Sequence, residues 1–206
     1  MTDARAAVLA VARPRPVPLL PELLLHQAAE GAKLFDGGYR SDVPPPFWAF
    51  AWPGGVALAR HVLDFPEIVA GRRVVDLGSG SGVVAIAASL AGALLVRAAD
   101  LDATARSAIE LNAELNGARV EVVTGAEPWL DTDLVVVGDG FYTAAVAEKM
   151  TAALLKASRA GADVLVGDPG RGFLPERLFT KVAEYDVPVR PALEDVSSRT
   201  TAVWSL

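Results

Sequence analysis

The chain has 206 residues, of which 52% are hydrophobic and 21% charged, and its formal net charge is -6. That is enough apolar residue for one globular domain with a sizeable core, and it excludes a disordered chain. The acidic balance argues against a broad phosphate-binding face, so no nucleic-acid partner is expected. With no cysteine there are no disulfides, thiolate nucleophiles or cysteine-based zinc sites.

Residues 1–20 read as an irregular arm. Ala6 to Ala12 is apolar, and Pro14, Pro16, Pro18 and Pro21 follow. Arg5, Arg13 and Arg15 give the arm some transit-peptide character, but it has no serine. It also lacks the apolar core and small-residue cleavage site of a secretory signal. A cytoplasmic protein is expected. No apolar run approaches the ~20 residues of a membrane helix, so no membrane partner is expected either.

The stretch Leu20 to Phe35 predicts a helix, with Pro21 in its first turn and Leu20, Leu23, Leu24 and Ala28 on one face. Gly37-Gly38 ends it, and a proline-rich loop over residues 39–48 leads to Trp48. In Phe47 to Gly55, two of the four tryptophans, Trp48 and Trp52, lie four residues apart. This segment reads either as core packing or as an aromatic wall beside a cofactor. Val56 to Leu63 has helical spacing and ends before Pro66. Residues 21–65 thus form an amino-terminal helical cover. Its His26 and His61 are the chain's two histidines, and both stand away from the glycine loop described next. A histidine metal site or a Ser-His-Asp mechanism is not expected.

From residue 73 to 206 strands and helices alternate. Val74-Val75-Asp76-Leu77 runs into Gly78-Ser79-Gly80-Ser81-Gly82, and a helical pattern begins at Val83. A buried strand, a glycine turn and a helix N-terminus open a cofactor crevice at the carboxyl edge of an α/β sheet. The spacing is not the G-x-G-x-x-G of a dinucleotide site, because Val83 stands at the third small position. Asp76 would repel a pyrophosphate and attract a cation. S-adenosylmethionine carries a sulfonium and an ammonium and no phosphate, so it suits the loop better.

Further strands are expected over Leu94 to Asp100, Val120 to Val123, Asp133 to Asp139, Ala162 to Asp168, Val187 to Arg190 and Thr200 to Ser205. Helices are expected over residues 103–116, Ala144 to Ala160 and Pro175 to Tyr185, the first capped by Asp102. Pro188 suits an edge strand. There is no repeat and no linker, so residues 1–206 make one α/β domain. Its sheet is mostly parallel, with helices on both faces.

Four strand ends carry the candidate chemistry. Asp100 stands 22 residues after Gly78, where an acid accepts hydrogen bonds from adenosine ribose hydroxyls. In the loop Gly125 to Trp129, Ala126, Glu127 and Trp129 could cover an adenine, or Trp129 could pack against the helix layer. Asp139 in Gly138-Asp139-Gly140-Phe141-Tyr142 puts an acid and two aromatics where a methyl group would project. An amine nucleophile must be neutral to attack, and free lysine has a pKa near ~10.4. An aromatic, partly desolvated site lowers that value and a nearby acid raises it, so Asp139 would hold and orient the amine. In Gly167-Asp168-Pro169-Gly170-Arg171, Asp168 and Arg171 either pair with each other or shape the substrate's approach.

Asp76 to Gly82 and the strand-end Asp100 resemble class I, seven-β-strand S-adenosylmethionine methyltransferases. Pro21-Glu22-Leu23, Trp48 to Gly55, Gly138 to Tyr142 and Gly167 to Arg171 narrow the likeness. They resemble the lysine methyltransferase family that modifies the β subunit of electron-transfer flavoprotein, from about Pro21 to a final strand at Thr200 to Trp204. The resemblance implies a Rossmann-like seven-stranded sheet with an antiparallel carboxyl-terminal strand. It implies S-adenosyl-L-methionine as cofactor, with Asp76, Gly78 and Gly80 at its methionine part and Asp100 at its ribose. Trp52 would wall the cofactor, and Ser79, Leu101, Ala126 and Trp129 join the cofactor-binding set. Asp139 and Tyr142 would be the catalytic pair at the lysine. The implied partner is the flavoprotein β subunit, with a ribosomal stalk protein as a further acceptor. A small-molecule N-methyltransferase of the nicotinamide type and a non-enzymatic cofactor-binding module stand as alternatives.

Overall fold

In the computed structural model, residues 4–29, 46–124, 129–190 and 196–206 are described. The first described element is a helix, α1 (Ala4–Val11), followed by β1 (Ala12–Val17) and β2 (Leu20–Ala28). These two strands pair antiparallel as a separate hairpin, with Ala12 opposite Ala28 and Pro16 opposite Leu24. The irregular arm is thus a helix and a strand. Its prolines sit on a two-stranded ribbon, where a missing N–H is tolerated at an edge.

The helix expected over Leu20 to Phe35 is instead β2 as far as Ala28. Residues 30–35, Gly37-Gly38 and residues 39–45 lie outside the described residues. Leu20, Leu23 and Leu25 are buried while Leu24 is exposed, so the leucine spacing fits a helix as well as a strand. A distant helix decides between them. Asn116 accepts from the Leu24 N–H at 2.9 Å and donates to the Leu24 carbonyl at 2.6 Å. Asn112 accepts from the His26 N–H at 2.7 Å. Two asparagine amides thereby complete the free edge of β2, which no local propensity could reveal.

The core begins with α2 (Pro53–Asp64), then alternates β3 (Arg73–Leu77), α3 (Val83–Leu90), β4 (Leu95–Ala99), α4 (Ala103–Leu115) and β5 (Glu121–Val123). It continues through β6 (Leu134–Gly138), α5 (Ala144–Arg159) and β7 (Asp163–Asp168), and closes with β8 (Thr180–Pro188) and β9 (Ser198–Ser205). The main sheet has seven strands in the order β5-β4-β3-β6-β7-β9-β8. β3 to β7 pair in parallel, whereas β9 runs antiparallel to both β7 and β8. Pro188 falls on the edge strand as its chemistry requires.

Pro175 to Tyr185 does not form the expected helix. A single 3-10 turn spans Glu176–Leu178, and the rest is β8, paired with β9 from Thr180 opposite Ser205 to Pro188 opposite Ser198. Ala183, Tyr185 and Val187 turn inward at a period of two, which is a strand pattern. The short strand expected at Val187 is the end of this longer one.

One apolar layer joins α2, α3 and the β2 hairpin to the sheet, with Leu23, Leu25, Val56, Leu58, Ile86 and Ile109 fully buried. The opposite face packs α5 and Trp129 against Val75, Leu77, Val135 and Val137. A third cluster seats Val8, Trp48 and Phe50 on Ala105, Ala108 and Leu111 of α4.

The start of α2 is driven between two strand ends. A Cβ on Gly167 would stand 2.0 Å from the Gly54 carbonyl oxygen, and one on Gly138 would stand 2.5 Å from the Gly55 Cα. Backbone meets backbone here, so no side chain fits and neither neighbour can yield. Gly167→Ala is therefore expected to cost at least about 3 kcal/mol, the upper range for overpacking. Urea unfolding of the variant against the wild type measures it.

Candidate active site

Four parallel strands end side by side, and each ends next to a feature picked from the sequence: Gly78 after β3, Asp100 after β4, Asp139 after β6 and Asp168 closing β7. The glycine loop is knotted to itself. The Gly78 and Ser79 N–H groups both donate to the Ala99 carbonyl, at 2.8 and 3.1 Å, and Gly82 N–H donates to the Ser79 carbonyl at 2.8 Å. Gly80 N–H donates to Asp100 Oδ2 at 2.9 Å. Gly78 and Gly80 take φ of 67° and 56°, left-handed values that glycine adopts without strain.

These bonds decide which ligand the loop suits. A pyrophosphate needs free backbone N–H groups, and four of this loop's are already engaged. What the loop shows outward is open space, since a Cβ on Gly80 would meet nothing nearer than the Gly78 oxygen at 4.0 Å. Beside it stands a carboxylate with capacity to spare: Asp100 Oδ1 accepts from Asp102 N–H at 2.9 Å, Oδ2 from Gly80, and each oxygen keeps a further lone pair. Leu101, next to it, is fully exposed. Acceptors for hydroxyls and an ammonium, with an apolar side chain alongside, fit S-adenosylmethionine.

Asp76 is buried behind the loop. Its Oδ2 accepts from Ser79 Oγ at 2.6 Å and from Ala85 N–H at 3.1 Å, tying the loop to the start of α3. Burial pushes its pKa up to about 7, against the pull of those two donors. A second tie was not visible in the sequence. Asn112, fully buried on α4, donates to the Ser81 carbonyl at 2.8 Å and accepts from His26, so the loop is coupled to the β2 hairpin.

Asp139 is the most constrained group of the site. Its φ is 55°, an uncommon conformation for a residue with a side chain. Oδ2 accepts the Gly55 N–H of α2 at 2.9 Å, and Oδ1 lies 3.4 Å from the Arg171 guanidinium. Burial raises its pKa to about 6, with Arg171 and the Gly55 N–H pulling it down and Asp168 pushing it up. Arg171 also lies over the Trp52 ring at 5.8 Å. The sequence left Asp168 and Arg171 either to pair or to shape the substrate's approach; the guanidinium bonds to Asp139, Asp168 Oδ1 accepts the Gly170 N–H at 2.8 Å, and the charge and backbone N–H of Arg171 also act on Asp168.

The aromatic residues gather at the same place. Phe47 lies 5.3 Å from Tyr142 and 5.8 Å from Trp52, which also meets Phe50 at 5.8 Å. Trp52 Nε1 donates to the Phe47 carbonyl at 2.8 Å. Asp139, Tyr142, Trp52, Phe47 and Arg171 thus form one cluster, and Asp76, Ser79, Gly80 and Asp100 another, along one sheet edge. Trp129 is packed in the apolar layer with Leu77 and Phe141. Ala126 and Glu127 lie outside the described residues. Phe47 and Arg171 were missing from the sequence-derived catalytic and binding sets; the only signal for Arg171 was a cation between two glycines at a strand end.

A parallel sheet with glycine loop, strand-end acids and an antiparallel last hairpin defines a class I S-adenosylmethionine-dependent methyltransferase. Residues 61–162 match the family model for ribosomal protein L11 methyltransferase (PrmA). The electron transfer flavoprotein beta subunit lysine methyltransferase of Rattus norvegicus is 40% identical over 200 residues, covering 90% of this chain and 77% of the rat protein. Its counterpart in Danio rerio is 41% identical over 170 residues, covering 78% of this chain and 66% of the fish protein. The solved Thermus thermophilus 16S rRNA N2 G1207 methyltransferase (RsmC), in complex with AdoMet and guanosine, shares the fold. It superposes with a TM-score of 0.60 at 18% identity, over 94% of this chain and 50% of that one. The chain belongs to the electron transfer flavoprotein beta subunit lysine methyltransferase family, and it is an S-adenosylmethionine-dependent protein-lysine methyltransferase. No described helix is long and apolar enough to cross a membrane.

The two raised carboxyl pKa values give stability a definite pH dependence. Asp76 and Asp139, ordinarily at 3.8, keep their protons in the folded protein up to about 7 and 6. The unfolded chain has lost both by about pH 5. Folding therefore takes up protons between roughly pH 4 and 7, and the contribution of these groups falls as pH rises through that window. Asp76→Asn/Asp139→Asn is expected to lose part of the wild-type decline between pH 4 and 8. Denaturant titrations across that range check it, and an unchanged slope means both carboxyls ionise at ordinary pH.

Proposed function

We propose that this enzyme methylates lysine ε-nitrogens on the electron-transfer flavoprotein β subunit, with Asp139 holding the incoming amine. One observation carries the role given to Asp139: a buried carboxylate in a strained left-handed conformation, at a strand end, between a helix N–H, a guanidinium and an aromatic cluster; the acceptor is the one named for the 40% identical rat relative. Strain of that kind persists where the surroundings enforce it, and such places are frequently functional.

S-adenosylmethionine, when bound, supplies a methyl group on a positively charged sulfur. Asp76 and Ser79 would keep the glycine loop in shape for its methionine part, and Gly78 and Gly80 would let it come close to the backbone. Asp100 would take the ribose hydroxyls, with Leu101 toward the adenine. Trp52 would wall the cofactor on the side of the acceptor. Lysine arrives as an ammonium and must pass a proton to solvent water before its lone pair can attack. Tyr142, Phe47 and Trp52 would strip water from the amine and favour its neutral form. Asp139, ionised above about pH 6, would accept an N–H from the amine and fix its direction. Orientation of reacting groups is a major source of rate.

A second acceptor is worth testing because the family model matched at residues 61–162 is that of ribosomal protein L11 methyltransferase. Purified flavoprotein β subunit and purified L11, each with labelled cofactor, separate the two readings.

Paired variants test the residue roles. Asp100→Ala is expected to weaken S-adenosylmethionine binding by about 1.5–3 kcal/mol, the range for hydrogen bonds to a charged group. Asp139→Asn keeps an acceptor oxygen for Gly55 N–H, so it should bind cofactor normally. It should lose at least about tenfold in turnover, ~1.4 kcal/mol of barrier. Calorimetry and turnover at saturating cofactor check both. Normal turnover in the Asn variant reduces Asp139 to a helix-capping residue, and joint loss of binding and turnover moves it into the cofactor pocket.

A further inference from the structure

Beside the candidate acceptor site lies an acidic groove that the methyl transfer does not use. Asp168, Ala202 and Glu184 stand in register across β7, β9 and β8. The carboxylate-bearing strands are two spacings apart, ~10 Å, with only a methyl group between them. Glu176, from the turn after the Gly-Asp-Pro-Gly-Arg loop, joins them, and Trp204 forms part of the wall. The space enclosed is about 260 Å³. Among the described residues Lys181, bonded to Glu184 at 2.7 Å, lines the groove as its cation, and the Arg171 guanidinium acts on Asp168 from beside it while also bonded to Asp139, so three carboxylates face two cations already engaged.

Asp168 supplies an independent sign of a missing partner. The residue is 3% exposed, and its Oδ1 is engaged by the Gly170 N–H at 2.8 Å. Its Oδ2 is buried and has no hydrogen-bond partner among the described residues. A buried acceptor left unsatisfied costs about 1–3 kcal/mol, more when charged. Burial raises the Asp168 pKa, the Gly170 and Arg171 N–H groups and the Arg171 charge draw it back, and Glu176 adds a smaller push upward. An added cation would relieve both. Among the described residues no cluster has the make-up of a metal site. A carboxylate pair with an indole wall suits an organic cation, through charge-assisted hydrogen bonds and a cation–π contact.

The groove adjoins the acceptor centre through covalent structure. Asp139 N–H donates to the carbonyl of Gly167, the residue before Asp168, at 3.0 Å. Arg171, three residues on, reaches back to Asp139. We infer that this groove binds an arginine or lysine side chain of the protein substrate, a second basic residue close to the lysine that is methylated. The inference rests on the protein-lysine reading and deepens it: the enzyme would select lysines by a neighbouring positive charge.

The test uses the whole enzyme and purified electron-transfer flavoprotein β subunit as acceptor. In Asp168→Asn/Glu176→Gln the asparagine keeps Oδ1 for the Gly170 N–H, and Glu176 is exposed, so the fold is retained. The double variant is expected to raise KM for the acceptor about tenfold. Its kcat at saturation, measured at about pH 8 where Asp139 is ionised with or without the Asp168 charge, and its S-adenosylmethionine affinity by titration should match the wild type. Glu176→Gln alone should raise KM by a smaller factor, and added salt should narrow the difference as it screens exposed charge. Glu110→Gln, the same charge change on the exposed side of α4, should leave KM unaltered. A double variant with wild-type KM overturns the proposal. An equal rise in Glu110→Gln also overturns it, by reducing the effect to overall charge. Wild-type enzyme that leaves the flavoprotein subunit unmethylated overturns the underlying reading, and the groove assignment with it, before any variant is compared.

Discussion

The N-terminus of α2 sits where two strands of the sheet stop. Gly54 lies against Gly167, and Gly55 against Gly138, at distances that leave no room for a Cβ. The first turn of a helix has N–H groups with no partner inside the helix, and its own cap residue, Trp52, offers no side-chain acceptor. Asp139 supplies one from another part of the chain, taking the Gly55 N–H at 2.9 Å. Helix, strand ends and acid are thereby fixed in one unit. The position of Trp52, the residue before this helix, follows from it, and so does the position of Arg171, which answers both the indole and the carboxylate.

Burial gives this arrangement its electrical character. Asp139 is held close to ionisation near neutral pH, with two donors restraining an otherwise unfavourable charge. A group in that condition responds strongly to an incoming cation, because every new favourable contact acts in a medium of low dielectric. Asp76 shares the condition but turns inward, to Ser79 and the start of α3. The two acids therefore divide the work. One shapes the loop from behind, and the other faces the aromatic cluster.

The glycine loop follows a different logic from a phosphate-binding loop of similar appearance. Its N–H groups are spent on Ala99, Ser79 and Asp100, and the polar capacity it leaves over is that of acceptors. Asn112 extends its support to the β2 hairpin, so the amino-terminal strands take part in holding the glycine loop. The hairpin is more than a cover, since it carries the other end of a buried hydrogen-bond chain.

Much of this was legible along the chain. The glycine loop, Asp100, the Asp139 loop and the alternation of β and α from residue 73 onward follow from local signals. Apolar runs ended by acids and glycines mark strands entering tight turns, and Asp102 caps α4 as its type and position require. The misread elements were those whose backbone is completed from a distance. Leu20 to Ala28 is a strand because β1 pairs with one edge and Asn112 and Asn116 bond the other. Thr180 to Pro188 is one because β9 returns to pair with it. The sequence by itself determined that acids and glycines stand at successive strand ends, since that depends on residue type and on the alternation of β and α elements. Only the tertiary structure decided that Arg171 answers Asp139 and that Asp168 Oδ2 has no partner among the described residues, because both depend on how far apart separate loops come to rest.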